Sequence, residues 1–223
     1  MLKVSPSILA ADLGHLYDEI KRTEDAGVDF FHLDIMDGHF VPNLTFGPGM
    51  VKFVNANTDI PLDVHLMISN PGDYLEVYTQ AGADVLTIHY ETVTDPVGML
   101  KSIHGLGIQA GISISPNTPF EAARDCIPES DWLLVMSVHP GFAGQKFIPA
   151  STKKVSAARQ FIDSQQLKCA IAVDGGIDME TAPRVVKAGA DIVITGSSFY
   201  KSENYADFIS NLRQVVDSGA DNA

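Results

Sequence analysis

Short apolar runs recur along the chain and alternate with amphipathic stretches. Three runs open with Ala-Gly and an Asp turn: "AGVDFFHLDI" from 26, "AGADVLTIHY" from 81 and "AGADIVITGS" from 188. Glycine suits the left-handed position that closes a helix, and a continuous apolar run is typical of a parallel strand buried on both faces. The sequence also indicates one helix start, with Thr118 as N-cap, Pro119 as the first helical residue and Glu121 completing a capping box. The pattern predicts helices that lead into buried parallel strands.

Eight predicted strands emerge from this pattern. Their approximate ranges are 4–9, 30–36, 61–68, 85–91, 109–115, 132–138, 170–175 and 192–197. Strands alternating with helices are typical of parallel β/α units, and eight units in 223 residues fit a (β/α)₈ barrel. A doubly wound sheet is the alternative, but eight similar units favour closure. We expect one α/β domain over residues 1–223, a single (β/α)₈ TIM barrel, with a frayed C-terminal tail from about residue 217.

Composition limits the partners and the location. With 45% hydrophobic residues the chain can bury a large core, and its net charge of −13 argues against nucleic acid or an acidic membrane as partner. Cys126 and Cys169 lie in unrelated contexts, which fits a reduced compartment better than a disulfide framework. We find no signal-peptide pattern and no apolar run near the ~20 residues that span a bilayer. We expect a cytoplasmic protein without nucleic-acid or membrane partners.

Polar side chains share one face of the predicted strands. Residues two apart in a strand point the same way, so His32, Asp34 and Met36 share a face, opposite the apolar residues between them. By the same parity, His65 and Met67 share a face of the third strand. In a barrel the C-terminal ends of the strands carry the chemistry. These side chains are therefore predicted to face the barrel axis near its mouth.

Two histidines and two carboxylates on this face form a mixed nitrogen and oxygen set that suits Zn²⁺, Mn²⁺, Co²⁺ or Fe²⁺. The set consists of His32, Asp34, His65 and Asp174. Any one of them alone would be read as a satisfied polar core residue, but four together favour a metal site. Met36, Met67 and Met136 are predicted to fill the barrel or, alternatively, to wall a reacting carbon. Past the second strand, Asp37 is predicted to hold the turn, and we assign His39 no role.

Three glycine-rich segments follow successive strands: "HPGFAGQKF" (139–147), "DGGI" (174–177) and "GSS" (196–198). Glycines let backbone N–H groups approach an anion, and phosphate sites recur after the last strands of barrels. None of the three contains arginine, and Lys146 is expected to be a solvated loop residue. The pattern predicts phosphate bound through backbone amides.

In chain order, "SPSILAADL", "HLDIMDGHFVPN", "DVHLMI", "HPGFAGQKF", "VDGGI" and "TGSS" resemble the ribulose-phosphate 3-epimerase family, from Ser5 to about Ser198. The resemblance implies an isomerase of the pentose phosphate pathway that interconverts D-ribulose 5-phosphate and D-xylulose 5-phosphate at C3. It implies one divalent metal ion, for which we expect Zn²⁺, with Fe²⁺, Mn²⁺ or Co²⁺ as alternatives. We also expect a homo-oligomer.

The resemblance also implies roles for individual residues. Asp34 and Asp174 would be the acid/base pair, acting through a metal-stabilised enediolate. The metal ligands would be His32, Asp34, His65 and Asp174. Substrate contacts would fall on Ser7, His65, Gly141, Phe142, Ala143, Gly144, Asp174, Gly175, Gly176, Gly196 and Ser197.

Two positions depart from the family pattern and leave the substrate open. His139 stands where asparagine or glutamate is commoner, and Ala143 replaces a glycine. We expect His139 to contact the loop rather than the ligand. Ala143 should preserve the phosphate contact through its N–H unless its position needs positive φ. An allulose 6-phosphate 3-epimerase with the same chemistry is the nearest alternative.

Other classes of function fit less well. A phosphate-binding barrel lyase or decarboxylase needs a lysine at a strand end. We place Lys3 before the first strand and Lys168 before the seventh, so no strand carries one. A non-catalytic sugar-phosphate binder would be expected to lack one of the two aspartates, and both are present.

Overall fold

The computed structural model describes residues 2–220, in which eight strands alternate with helical segments. The strands are β1 (Lys3–Pro6), β2 (Phe31–Met36), β3 (Leu62–Met67), β4 (Val85–His89), β5 (Gln109–Ile114), β6 (Trp132–Met136), β7 (Ala170–Asp174) and β8 (Ile192–Thr195). The α-helices are α1 (Leu16–Asp25), α2 (Pro48–Asn55), α3 (Leu75–Ala81), α4 (Pro96–Gly105), α5 (Phe120–Ala123), α6 (Ser151–Ser164), α7 (Ala182–Lys187), α8 (Ser197–Tyr200) and α9 (Tyr205–Ala220). Short 3₁₀ segments cover Ile8–Ala10, Leu13–His15, Pro71–Tyr74, Tyr90–Thr92 and Arg124–Glu129.

All eight strands belong to one parallel sheet in the order β1-β8-β7-β6-β5-β4-β3-β2. The seam between β1 and β2 is joined by a bridge between Ser7 and His32, and Asp29 N donates to Val4 O at 2.9 Å. The sheet is a nearly closed barrel. The predicted (β/α)₈ fold is confirmed, and the doubly wound alternative is wrong.

Several predicted boundaries shift by a few residues. β1 ends at Pro6 because the chain turns there: Ala10 N donates to Ser7 O at 3.1 Å and closes a 3₁₀ turn. Lys3 is the first residue of β1, so its predicted position before the strand is wrong. It lies at the end of the strand away from the barrel mouth, with its ammonium 5.4 Å from the centroid of the Phe30 ring.

Helix ends follow the predicted chemistry in one case and not in another. α3 closes at Gly82, whose φ of 111° is left-handed, as the Ala-Gly pattern predicts. The capping box predicted for α5 is wrong, because the residue before this helix is Pro119 and no side chain caps it. The Thr118 hydroxyl donates to Glu91 instead, which draws it away from the helix.

At the end of the chain, the fraying expected from about residue 217 stays a prediction. α9 continues to Ala220, so residues 217–220 are helical, and residues 221–223 lie outside the described part of the chain. Between residues 2 and 220, no helix combines the length and the apolarity that crossing a bilayer requires.

The strands separate two layers of side chains. Outward-facing residues such as Phe31, Leu33 and Val64 pack with the apolar faces of the helices in the main core. Inside the barrel, an apolar cluster lies mainly on β6, β7 and β8 and includes Leu134, Met136, Ala172, Ile192 and Ile194. Strands β1 to β5 carry the buried polar residues Ser5, His32, Asp34, Asp63, His65, Thr87, His89 and Ser113. On β8, the buried Thr195 has the opposite parity to Ile192 and Ile194 and so points away from the interior. The interior therefore has a polar half and an apolar half.

Candidate active site

The four predicted metal ligands converge at the floor of the barrel mouth. One potential ligand atom from each of them lies within 4.8 Å of the others: His32, Asp34, His65 and Asp174. Asp34 Oδ1 is shared, lying 3.0 Å from His32 Nε2 and 3.2 Å from His65 Nδ1. Its second oxygen, Oδ2, accepts a hydrogen bond of 2.6 Å from Ser7 Oγ. The convergence predicted from strand parity is thus present in the fold.

Each imidazole of this cluster has one nitrogen engaged behind it and the other directed into the cluster. Behind His32, Nδ1 lies 2.7 Å from Asp63 Oδ2, and behind His65, Nε2 lies 2.9 Å from His89 Nε2. Metal-binding histidines usually have such an outer partner, which fixes the ring and leaves the inner nitrogen available. Two nitrogens with two carboxylates also match the donors that Zn²⁺ and its neighbours prefer. The residues therefore fit a divalent ion.

Burial and mutual charge displace the pKa values of the cluster in opposite directions. Burial would raise the pKa of Asp34, but the charge and the hydrogen bond of His32 hold it far below its usual range. Burial acts against a charged His32, yet Asp34 and Asp63 raise its pKa well above the ordinary value. Burial lowers the pKa of His65 to about 4. Burial and the nearby charge of Asp34 raise the pKa of Asp174 to about 7. The two carboxylates are therefore unequal.

A cavity of about 210 Å³ opens above this floor. It is lined by ten of the eleven predicted substrate-contact residues, namely Ser7, Gly141, Phe142, Ala143, Gly144, Asp174, Gly175, Gly176, Gly196 and Ser197, and by Asp34. His65 does not line it and lies fully buried beside Asp34. Met36, Met67 and Met136 line the cavity, so they wall it rather than only filling the barrel. No lysine or arginine is among its lining residues.

The loop after β6 is held by amide side chains. Asn43 Nδ2 donates to Gly141 O at 2.7 Å and ties this loop to the one after β2. Gln145 Nε2 donates to His139 O at 2.6 Å and to Phe142 O at 2.9 Å. The His139 side chain is exposed and does not line the cavity, and its expected contact to the loop stays a prediction.

Ala143 fits the loop without strain. Gln166 is the only non-glycine residue with positive φ between residues 2 and 220, so Ala143 has an ordinary backbone conformation. The replacement of glycine here therefore keeps the loop geometry that the neighbouring glycines set.

Three polar residues behind the cluster are absent from the sequence prediction: the buried Asp63 and His89, and Glu91, whose side chain is 23% exposed. Asp63 has the same parity as His65, so the rule that found His65 could also have found it. His89 ends β4, at the strand end where polar residues were sought. Glu91 lies past that end in a 3₁₀ segment, where parity gives no signal.

The fold and this mouth define a class: a (β/α)₈ barrel that combines a histidine–carboxylate cluster with glycine-rich loops. A sequence model of the Ribulose-phosphate 3 epimerase family matches residues 3–200. The chain belongs to this family, and it is an epimerase, as the sequence resemblance predicts.

Curated relatives carry the same family name over most of their length. The ribulose-phosphate 3-epimerase of Chlamydia pneumoniae is 46% identical over 205 residues, covering 91% of this chain and 90% of the relative. The ribulose-phosphate 3-epimerase of Bacillus subtilis (strain 168) is 42% identical over 214 residues, covering 96% and 99%.

Solved structures at low identity share the barrel. A 3-hexulose-6-phosphate synthase superposes with a TM-score of 0.72 at 17% identity, covering 96% of this chain and 100% of that one. Orotidine 5'-phosphate decarboxylase from Pyrococcus horikoshii OT3 gives a TM-score of 0.67 at 14% identity, covering 96% and 99%. At these identities the likeness concerns the fold alone.

Proposed function

We propose that this chain interconverts D-ribulose 5-phosphate and D-xylulose 5-phosphate by moving protons at C3, with Asp34 and Asp174 as the acid/base pair. The observation that carries the proposal is that both carboxylates border one cavity and also belong to the histidine–carboxylate cluster beneath it. The family and the names of its relatives support the substrate class.

Epimerisation next to a ketone requires two groups. One side chain removes the C3 proton, and a second returns a proton to the opposite face of the same carbon. Asp34 on β2 and Asp174 on β7 stand on different walls of the barrel, so they can serve opposite faces of a substrate between them. One aspartate gains a proton and the other loses one in each turnover, so the pair carries the same number of protons afterwards. In the reverse direction their roles exchange.

The surrounding residues prepare the pair for this task. Ser7 donates to Asp34 Oδ2, which fixes the carboxylate. Met36, Met67 and Met136 line the cavity with apolar surface that carries no competing acid or base. Lewis-acid stabilisation of negative charge on the substrate oxygens is what a divalent ion held by His32, Asp34, His65 and Asp174 would supply, and we propose Zn²⁺.

Substrate phosphate would be bound by backbone rather than by cationic side chains. Gly141, Gly144, Gly175, Gly176 and Gly196, from the loops after β6, β7 and β8, line the cavity. Backbone N–H groups in such loops form concave anion sites. The absence of lysine from the lining residues also disfavours a Schiff-base lyase. A homo-oligomeric state and a cytoplasmic location stay predictions.

The test replaces each aspartate by its isosteric amide. Asp34→Asn and Asp174→Asn should each lower turnover by a factor on the order of 10²–10⁴, the usual contribution of a general acid or base. Asp125→Asn is the matched control, because its side chain is 91% exposed. Circular dichroism and bound Zn²⁺ are measured for every variant, so that loss of a proton-transfer group is separated from loss of the fold or the ion.

Two outcomes would contradict the proposal. Near wild-type turnover in either cluster variant would remove the two-base assignment, and turnover in D₂O without deuterium at C3 would exclude proton transfer at that carbon. Parallel assays with ribulose 5-phosphate and allulose 6-phosphate decide between the five-carbon and six-carbon substrates.

A further inference from the structure

A hydrogen-bonded series of side chains extends from the cluster away from the cavity. His65 Nε2 lies 2.9 Å from His89 Nε2, and His89 Nδ1 lies 3.0 Å from Glu91 Oε2. Both imidazole rings are fully buried, and the Glu91 side chain that ends this series is 23% exposed. Through His89, the carboxylate is connected to a predicted metal ligand that it does not touch.

Glu91 is fixed in one orientation by donors on its other oxygen. Oε1 accepts from Ser115 N at 2.8 Å and from the Thr118 hydroxyl. These bonds and the one to His89 act against burial and lower the pKa of Glu91 to about 2, so the group is an ionised acceptor at neutral pH. Oε2 therefore faces His89 Nδ1 as a pure acceptor, and His89 must carry a proton on that nitrogen.

If both imidazole rings are uncharged, the proton positions on His89 and His65 follow from this acceptor. With Nδ1 protonated, His89 Nε2 is an acceptor, so His65 must donate from Nε2 and leave Nδ1 without a proton. We propose that His89 and Glu91 are positioning residues that hold His65 in the tautomer whose Nδ1 lone pair faces the cluster and can bind a divalent ion. This inference rests on the proposed function, because it assigns a role towards the metal of that site.

The packing around His89 favours a fixed geometry. Its ring is stacked on His65, with centroids 4.9 Å apart and planes inclined by 26°. Phe40 lies on it as well, with ring centroids 4.7 Å apart. These contacts keep water from His89, and the ring cannot turn to other partners without leaving a buried nitrogen unpaired.

Asp63, the outer partner of His32, provides an internal comparison. Asp63 Oδ2 faces His32 Nδ1, but Oδ1 has no hydrogen-bond partner among residues 2–220. An amide at position 63 could therefore keep its oxygen towards His32 and preserve the tautomer. An amide at position 91 could not, because the Ser115 N–H requires an acceptor on the far side and directs the NH₂ group at His89.

The experiment measures Zn²⁺ affinity by competition with a chromophoric chelator, without substrate. Glu91→Gln should reverse both tautomers, put a proton on His65 Nδ1 and weaken Zn²⁺ binding by about 10–100-fold, the range for lost outer partners of metal ligands. Asp63→Asn removes the same charge closer to the cluster, because Asp63 contacts the predicted ligand His32 directly, whereas Glu91 reaches His65 through His89. Because this variant can preserve the tautomer of His32, it should nevertheless weaken Zn²⁺ binding less. Glu76→Gln, an exposed pair partner of Gln80 on α3, is the control for a remote charge change.

A second pair of variants guards against misfolding of Glu91→Gln. Gln at position 89 can accept from His65 Nε2, whereas Leu of similar size cannot, so His89→Gln should retain much more Zn²⁺ affinity than His89→Leu. Wild-type affinity in Glu91→Gln, or a larger loss in Asp63→Asn than in Glu91→Gln, would overturn the inference, as would equal affinities in the two His89 variants. The comparison uses Zn²⁺ affinities alone. Wild-type protein that binds Zn²⁺ without epimerising would therefore count against the proposed function, and not against the positioning role of His89 and Glu91.

Discussion

Gly144 in the loop after β6 allows the conformational strain of one residue to be measured. Its φ is 75°, in the left-handed region, while its neighbour Ala143 has an ordinary conformation. A Cβ at position 144 would meet nothing closer than Ser197 Oγ at 3.8 Å. Gly144→Ala therefore adds backbone strain of about 1–2 kcal/mol without a steric clash.

This strain must appear in one of two measurements. If the free protein keeps the loop geometry, the free energy of unfolding falls by about 1–2 kcal/mol. If the loop relaxes when empty, the strain returns when the ligand binds, and phosphate affinity falls by about 5–30-fold at 1.4 kcal/mol per factor of ten. Urea denaturation and the inhibition constant of inorganic phosphate should therefore give losses that sum to about 1–2 kcal/mol.

Ala143→Gly is the matched control, because it changes the same loop where no strain exists. It should cost only about 0.4–1 kcal/mol, through the greater freedom of the unfolded chain, and leave phosphate affinity almost unchanged. The reasoning is refuted if both losses for Gly144→Ala stay within about 0.5 kcal/mol, the range of ordinary surface substitutions. Equal behaviour of the two variants would refute it as well.

Two further predictions concern the loop after β2. Asp37→Asn should lower the free energy of unfolding at neutral pH by about 1–3 kcal/mol, because the carboxylate accepts from Ser69, His39 and Phe40. Against burial, these bonds lower the pKa of Asp37 from its ordinary 3.8, so its contribution is present above that pH and is lost below it. A difference from wild type that stays constant from neutral to acid pH in urea melts would contradict this. Asn43→Ala removes the bond to Gly141 and should raise KM about fivefold with kcat unchanged, whereas a fall in kcat alone would contradict it.

Strand parity predicts which residues meet at the floor of the site, because parity sets the face of each strand and the barrel brings these faces together. His32 and Asp34 share a face of β2, and parallel pairing sets Asp34 opposite His65 on β3. No long-range information was needed beyond the fold class, since the C-terminal ends of all barrel strands meet at the same mouth. The glycine-rich loops were found for the same reason.

Interactions between loops could not be read from the sequence in this way. Asn43 contacts Gly141 across 98 residues, and neither periodicity nor parity relates two loops. Thr118 shows a second limit: its local pattern predicts a helix cap, but Glu91 competes for its hydroxyl. A capping bond is worth about 1 kcal/mol, so a charged acceptor brought close by the fold can replace it.

The two halves of the barrel interior explain why chemically identical carboxylates in the cluster differ. In the sheet register, Asp174 lies between Met136 and Ile194, which belong to the apolar cluster, and this surrounding raises its pKa. Asp34 lies beside His65 in the register, and the charge and hydrogen bond of His32 in the polar half hold it ionised. An acid/base pair needs one protonated and one ionised member at the same pH. The difference in pKa between the two aspartates therefore arises from their positions on β2 in the polar half and on β7 in the apolar half.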